Sequence, residues 1–282
     1  MSWSFDNIPK YVINLDRRTD RWNSFQQASG FKELNNLRRW SGTDGKSLNI
    51  DTDNRISLYT KFNLLRSARR SHMELETAGG VGCYISHVEV WKHFLEKEKS
   101  EVGMIMEDDS IMDKKTISGI KTFIQKSKVM NNTELWDFSI LAPHTKNINH
   151  GPMYHYDTTC IRLIEFTGLT AYLFTKKGIS KILPYVYPIQ MHIDWFLSVS
   201  AQFQIINICR PQISLVRVRD SITDVAKYYK NTYKRCDVCD IESDYLKTNT
   251  TISRTTLIKY QIEEIVLILG ALFAIGVYAK KL

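Results

Sequence analysis

Three carboxylates stand in a row at Glu107, Asp108 and Asp109, directly after an apolar segment that begins at Val102. Such a segment is typical of a buried strand. Because neighbouring like charges repel, three acids at the end of a buried strand indicate a positively charged partner. Mn²⁺ and Mg²⁺ prefer oxygen ligands, and they commonly bind through one or two carboxylates together with substrate phosphates. The stretch therefore predicts a divalent cation site, with a solvated turn or a helix N-cap as the alternative explanation.

The order of the acids predicts which of them binds the cation. Successive side chains of a strand point to opposite faces, so Glu107 and Asp109 should share one side while Asp108 points to the other. We expect Asp109 to be the main metal ligand, with Asp108 as a second acidic ligand.

The elements around this stretch favour an α/β domain. Apolar strands alternate with helical patterns, and the clearest helix covers Gly79–Lys99, where apolar residues recur three and four residues apart. This alternation favours a mostly parallel central sheet, in which ligands bind at the carboxyl ends of the strands. Asp16 and Arg17 follow the predicted strand Lys10–Leu15, and Asp44 follows a second strand, so these side chains should lie near the three acids.

Composition limits the classes of partner. The chain of 282 residues carries a net charge of +8, which favours anionic partners such as phosphates. Its basic residues are scattered rather than clustered, so no nucleic-acid partner is expected. Cys83, Cys160 and Cys209 lie among apolar neighbours and should be buried. Cys236 and Cys239 have the spacing of a zinc site, but no second ligand pair follows, so we expect free thiols or one local disulfide.

The end of the chain differs in character from the rest. We predict a catalytic domain over residues 1–220, a polar edge and linker over 221–261, and a hydrophobic helix over 262–282. An uncharged segment of about fifteen residues, Ile265–Ala279, would form a helix of roughly 22 Å, shorter than the ~30 Å hydrocarbon core. If Lys280 and Lys281 snorkel to the membrane surface, this helix could still span the bilayer as a single-pass tail anchor. A buried terminal helix is the alternative. Without a visible signal peptide, the catalytic domain is expected in the cytosol.

Six motifs carry a resemblance that extends over most of residues 8–215. They are YVINLDRRTDRW (11–22), SGTDG (41–45), GGVGCYISHVEVWKHF (79–94), IMEDD (105–109), GLTAYLFTKKGISKIL (168–183) and PIQMHIDWFL (188–197). In this order they resemble glycosyltransferase family 25, the group that contains lipopolysaccharide galactosyltransferases and collagen-modifying galactosyltransferases. The resemblance implies a nucleotide-binding fold of the A type (GT-A), with a DxD-like acidic motif that holds a divalent metal and a nucleotide-diphosphate sugar.

The resemblance also implies roles for single residues around the donor. The acids of the IMEDD motif become the DxD-like element, with Asp109 and Asp108 on Mn²⁺ or Mg²⁺ and Glu107 directed toward the ribose or sugar. His87 would hold the donor sugar or phosphate, although a buried histidine in a helix is also a common core hydrogen-bonding residue. The uracil, ribose and remaining nucleotide would be bordered by Asn14, Asp16, Arg17, Asp44 and Gly45.

Two residues of the last motif are assigned to the metal and to proton transfer. His192 would complete the metal shell, and Asp194 would accept the proton of the acceptor hydroxyl if transfer is inverting. The alternative for Asp194 is the N-cap of the following helix. The motif departs from the commoner PxD pattern, because a Met and a His precede the acid.

The implied reaction is transfer of a hexose, galactose or glucose, from a UDP-sugar to a hydroxyl on a glycan, lipid or protein. Two alternatives remain open at this point. One is a catalytically inactive, membrane-anchored structural protein with the same fold. The other is a metal-dependent nucleotidyltransferase or nuclease, for which the basic and aromatic stretch Lys227–Arg235 would supply a groove.

Overall fold

The computed structural model describes residues 3–66, 71–143, 154–155 and 157–219. Its elements in chain order are β1 (Lys10–Asn14), α1 (Thr19–Gln26), β2 (Leu37–Ser41), α2 (Leu58–Arg66), α3 (Ala78–Lys97), β3 (Val102–Glu107), β4 (Ser110–Ile111), α4 (Lys114–Lys126), β5 (Phe138–Ile140), β6 (Tyr154–His155), β7 (Cys160–Leu163), β8 (Ala171–Thr175), α5 (Lys176–Ile182), α6 (Ile193–Gln202), β9 (Ile208–Pro211) and β10 (Arg217–Val218). Short 3₁₀ turns cover Phe31–Glu33, Gly45–Ser47 and Leu183–Tyr185.

Within these described ranges, eight strands form one sheet in the order β2-β1-β3-β8-β5-β9-β7-β6. The pairs β1–β2, β1–β3 and β5–β9 are parallel, whereas β8 runs antiparallel to both β3 and β5, and β7 runs antiparallel to both β9 and β6. Strands β8 and β7 therefore point against the other six. The α/β class and the mostly parallel sheet are confirmed, with two reversed strands that the apolar pattern did not reveal.

Helices cover both faces of the sheet. On one face, α3 packs through Trp91 into an apolar cluster that includes Tyr11 and Ile105 of β1 and β3. On the other face, α1 and α4 belong to a second cluster with Val12 and Met104 of the same two strands. Because both faces are buried, β1 and β3 are apolar at successive positions, which explains why β3 is one of the clearest strands in the sequence.

The predictions for the end of the chain fall on residues that the structure leaves undescribed. The linker 221–261, the hydrophobic helix 262–282, the stretch Lys227–Arg235 and the pair Cys236 and Cys239 all lie outside the described residues. Across the helices that are described, none combines the length and apolar character needed to cross a bilayer. Cys83, Cys160 and Cys209 are free thiols, and only Cys83 keeps part of its surface exposed.

Lys10 provides a pH-dependent test of the packing around β1. Its side chain is fully buried, and its Nζ donates hydrogen bonds to the carbonyls of Ile8 (3.1 Å) and Asn35 (2.8 Å). Burial lowers the pKa of Lys10 from 10.5 to about 8. Between these two values the unfolded chain binds the proton that the folded protein has released, so the free energy of unfolding should rise with pH in this window.

We therefore expect the free energy of unfolding of Lys10→Met to depend less on pH between about pH 8 and 10.5. Across this window, the titration of Lys10 should change the free energy of unfolding of the wild type by up to roughly 3 kcal/mol. Urea denaturation of both proteins at several pH values in this window measures the difference. If the stability of the wild type and of Lys10→Met changed with pH in parallel, burial would not shift the pKa of this amine.

Candidate functional site

A cavity of about 640 Å³, which includes space open to solvent, lies at the carboxyl ends of β1, β2 and β3. Six of the predicted site residues line it, namely Arg17, Asp44, Gly45, His87, Glu107 and Asp108. The prediction that side chains following separate strands converge at one edge of the sheet agrees with this geometry.

The three acids occupy a strand end and the turn that follows it. Glu107 is the last residue of β3, and Asp108 and Asp109 form the turn that leads to β4. The alternation of side chains therefore stops at Glu107, and the expected pairing of Glu107 with Asp109 on one side is not seen. Glu107 and Asp108 line the main cavity, whereas Asp109 lines a smaller neighbouring one, which Asp108 also borders.

Arg21 of α1 bridges the two aspartates, and sequence reasoning missed it. Its Nη1 lies 2.9 Å from Asp108 Oδ1, and its Nη2 lies 2.9 Å from Asp109 Oδ2. Asn14 Nδ2 donates a second hydrogen bond to Asp108, at 2.6 Å from Oδ2. The sequence signal was weak, because Arg21 is the third arginine of DRRTDRW and only the first two directly follow β1.

Burial makes both aspartates hard to ionise despite this arginine. Burial first and the charge of Glu107 second raise the pKa of Asp109 to about 7, against the opposing effect of Arg21. Burial also raises the pKa of Asp108, while Arg21 and Asn14 work in the opposite direction. Asp109 Oδ1 is buried, and no hydrogen-bond partner lies near it in the part of the chain that the structure describes. An unsatisfied buried carboxylate oxygen is destabilising, and a divalent cation would satisfy it, so these residues fit the expected metal.

His87 belongs to both the cavity wall and the core. Its side chain is fully buried, and its Nδ1 lies 2.9 Å from the hydroxyl of Tyr172, which accepts a hydrogen bond from Trp91 Nε1 at 3.0 Å. Its Nε2 lies 3.5 Å from Glu107 Oε1, at the cavity. Both explanations of His87 are therefore compatible with the structure, since one ring nitrogen serves the core and the other faces the acid.

Arg17, Asp44 and the first two residues of the 3₁₀ turn Gly45–Ser47 also line the cavity. Arg17 Nε donates to Asp44 Oδ2 at 2.6 Å, and the Lys46 N–H donates to Asp44 Oδ1 at 3.0 Å. Partial burial acts to raise the pKa of Asp44, but these hydrogen bonds outweigh it and hold that pKa below its usual value. Arg17 and Lys46 thus add positive charge to the cavity that Glu107 and Asp108 also line.

Asn14 and Asp16 do not line the cavity. Asn14 is buried beneath the acids, where it also donates to the carbonyl of Arg18 at 3.1 Å. It therefore holds Asp108 in position. Asp16 is exposed and accepts hydrogen bonds from Arg39 (2.8 Å) and Ser41 (2.6 Å).

His192 and Asp194 lie at the start of α6 and also lie outside the cavity lining. His192, not Asp194, occupies the N-cap position, so the N-cap explanation of Asp194 is wrong. The carboxylate of Asp194 instead accepts hydrogen bonds from the backbone N–H groups of Gly168 and Trp195, each at 2.8 Å. The backbone N–H of His192 donates to the carbonyl of Met73 at 2.9 Å.

Close backbone packing at Gly82 holds α3 against the cavity wall, and this gives a second test. A Cβ atom at Gly82 would lie 2.4 Å from the carbonyl oxygen of Thr43 and 2.7 Å from the Gly45 nitrogen. Because backbone must move to admit it, we expect Gly82→Ala to lower the free energy of unfolding by roughly 1–3 kcal/mol. Urea denaturation measures this loss.

Gly119 of α4 is the matched control, because a Cβ there would meet only Leu215 Cδ2, at 3.4 Å. Gly119→Ala should leave stability unchanged or raise it by about 0.5–1 kcal/mol, as expected for glycine replaced by alanine inside a helix. Equal effects of the two substitutions would contradict the close approach at Gly82.

Comparison with known proteins places the chain in a family. The sequence profile described as Glycosyltransferase family 25 (LPS biosynthesis protein) matches residues 7–197. A glycosyltransferase 25 family member of Drosophila pseudoobscura pseudoobscura is 31% identical over 104 residues, which make up 36% of this chain and 16% of the fly protein. Procollagen galactosyltransferase 2 of Homo sapiens is 30% identical over 106 residues, 37% of this chain and 16% of the human protein.

The aligned part of the chain thus spans 16% of the length of these curated relatives. The family profile covers more of this chain than those alignments do. The matched residues 7–197 include the three acids, the whole of α3 and Asp194. The chain belongs to glycosyltransferase family 25.

Proposed function

We propose that this chain transfers a hexose, galactose or glucose, from a UDP-sugar to a hydroxyl of a glycan, lipid or protein, with Mn²⁺ or Mg²⁺ as cofactor. The observation that carries the proposal is the cavity at the strand ends, which Glu107 and Asp108 line together with Arg17 and Lys46. Such a cavity can bind a diphosphate through a cation held by the acids and through the positive side chains of its lining. The human relative's name, a galactosyltransferase, supports galactose as the sugar.

The metal would be held by Asp109 and Asp108, whose oxygens already converge on the Arg21 guanidinium. His192 is the proposed additional ligand. When bound, the cation would neutralise the charge that develops on the leaving diphosphate. Asp109 Oδ1 is the oxygen best suited to it, because that atom is buried and has no hydrogen-bond partner within the described ranges.

Side chains of the protein would bind the diphosphate, orient the sugar and accept the proton of the acceptor. Arg17 and Lys46 would bind the diphosphate, and Glu107 would orient the ribose or sugar beside His87. Asp194 is the proposed base for the acceptor hydroxyl. Two backbone N–H groups fix its carboxylate at the start of α6, so the acceptor would approach from that side.

The architecture and location belong to the same proposal. The domain over residues 1–220 would have the GT-A fold, and 221–261 would link it to a tail anchor over 262–282. The catalytic domain would then face the cytosol. Protease protection of the domain in sealed microsomes would contradict this topology.

The experiment that tests the function uses the full chain with a panel of UDP-sugars and hydroxyl acceptors, with and without Mn²⁺. Thermal shift reports binding, and mass spectrometry identifies the product. We expect UDP-galactose or UDP-glucose to raise the melting temperature only with the metal, and to give a product one hexose heavier. An inactive structural protein would respond to no UDP-sugar, whereas a nucleotidyltransferase would cleave or extend nucleic acid instead.

A further inference from the structure

Three side chains of different chemistry meet on the cavity wall beside the acids. Cys83, His87 and Glu107 each offer one ligating atom, and these atoms all lie within 4.8 Å of one another. Cys83 and His87 are four residues apart on α3 and so share one face of the helix, while Glu107 ends β3. All three line the main cavity.

His87 shows the features of a metal-binding histidine. Its Nε2 is buried and has no hydrogen-bond partner among the described residues, and it points toward Glu107 Oε1 at 3.5 Å, too far for a well-formed hydrogen bond. Its other ring nitrogen, Nδ1, is fixed by the hydroxyl of Tyr172, which Trp91 holds in turn. A ligating Nε2 requires the proton to be on Nδ1, and the Tyr172 hydroxyl can accept a hydrogen bond from Nδ1–H, which would orient the ring for metal binding.

We propose that Cys83, His87 and Glu107 form a binding site for a borderline-soft divalent cation, Zn²⁺, separate from the Mn²⁺ or Mg²⁺ site at Asp108 and Asp109. A thiolate and an imidazole favour zinc over the hard cations, which take oxygen ligands. Three protein ligands would leave the fourth tetrahedral position open toward the cavity.

Charge and proton balance are consistent with this site. The thiolate and the carboxylate together neutralise the dication. On binding, the S–H bond of Cys83 breaks, its proton passes to solvent, and a sulfur–zinc bond forms. No oxidant or reductant is required.

The test uses Co²⁺ as a spectroscopic probe of the full chain. Because Cys236 and Cys239 can bind metal on their own, the background is a variant with both changed to serine. We expect Co²⁺ to give a thiolate-to-cobalt charge-transfer band with this protein, and Zn²⁺ to abolish the band by displacing the Co²⁺. Cys83→Ser should remove the band, whereas Cys209→Ser, which changes a thiol buried elsewhere, should retain it.

Two further variants distinguish this site from its neighbours. Tyr172→Phe should weaken Co²⁺ binding by roughly 10–100-fold, as expected when the anchor of a ligating histidine is lost. Asp109→Asn should retain the charge-transfer band. The proposal is overturned if Cys83→Ser keeps the band, if Asp109→Asn loses it, or if the background protein, with a wild-type circular dichroism spectrum, shows no band. Since the readout is metal binding, none of these outcomes depends on sugar transfer.

Discussion

Replacing Asp109 by asparagine should abolish metal-dependent turnover of a UDP-sugar while the protein stays folded. Asparagine keeps the size of the side chain but removes the buried anionic oxygen, which has no hydrogen-bond partner among the residues described above. The loss of one group that stabilises developing charge typically lowers turnover by about 10²–10³-fold, and the loss of the cation itself would lower it further. Mass spectrometry of the product at saturating Mn²⁺ measures the effect.

Asp20→Asn is the matched control for this substitution. Asp20 borders the same small cavity as Asp109, but 66% of its side chain is exposed, and its partner is Arg18. We expect turnover of Asp20→Asn to stay within a few-fold of the wild type. Unchanged turnover in Asp109→Asn would remove Asp109 from the metal site.

The stability of Asp109→Asn separates loss of the cation from loss of the fold. Because the pKa of Asp109 is raised to about 7, the folded protein holds a proton that the unfolded chain releases near pH 4. Without metal, the wild type should therefore lose stability as pH rises from about 4 to 7, whereas Asp109→Asn should lose less, because the contribution of Asp109 is removed and that of Asp108 remains. In a chelator at pH 8 the variant should be at least as stable as the wild type by urea denaturation.

The sequence predicted the fold more fully than the site, for physical reasons. Strands buried on both faces and a helix with an apolar stripe have local signatures, and both β3 and α3 begin and end within two residues of their predicted bounds. The direction of β8 has no such signature. Whether a strand pairs parallel or antiparallel with β3 depends on how the preceding chain returns to the sheet, and this is a tertiary property.

The site residues, like the strands, could be predicted only where they follow from local sequence signals. Arg17, Asp44 and Glu107 could be predicted together because each lies at or just beyond the carboxyl end of a strand, and those ends meet at one edge. Arg21 could not, because its role arises from the packing of α1 against the turn after β3. The sequence also could not predict that Glu107 and Asp109 line different cavities, because this depends on where the hydrogen bonding of strand β3 stops.

Replacing Arg21 by glutamine should strongly destabilise the metal-free protein, and this is the second large effect that we expect. The guanidinium is only 14% exposed and is the cation that bridges Asp108 and Asp109. Removing one member of a buried charge cluster typically costs about 3–5 kcal/mol, because the remaining charges lose their compensation. Urea denaturation in a chelator at pH 8 should show a loss of this size.

Arg217→Gln provides the matched control. Arg217 also pairs with an aspartate, Asp113, but its side chain is 67% exposed, so the loss should stay below about 1 kcal/mol. A loss at Arg21 no larger than the loss at Arg217 would contradict the assignment of Arg21 as the internal counter-ion of the acids.

The recovery of Arg21→Gln then shows whether arginine and metal are alternative partners for the same oxygens. Protonation near pH 5 should restore much of the lost stability, because the pKa values of both aspartates are already raised by burial. Millimolar Mn²⁺ at pH 8 should restore it as well, and the variant should bind Mn²⁺ more tightly than the wild type, because the guanidinium no longer competes for the carboxylates. Recovery with acid but not with Mn²⁺ would mean that Arg21 serves the fold alone and that the cation binds elsewhere in the cavity.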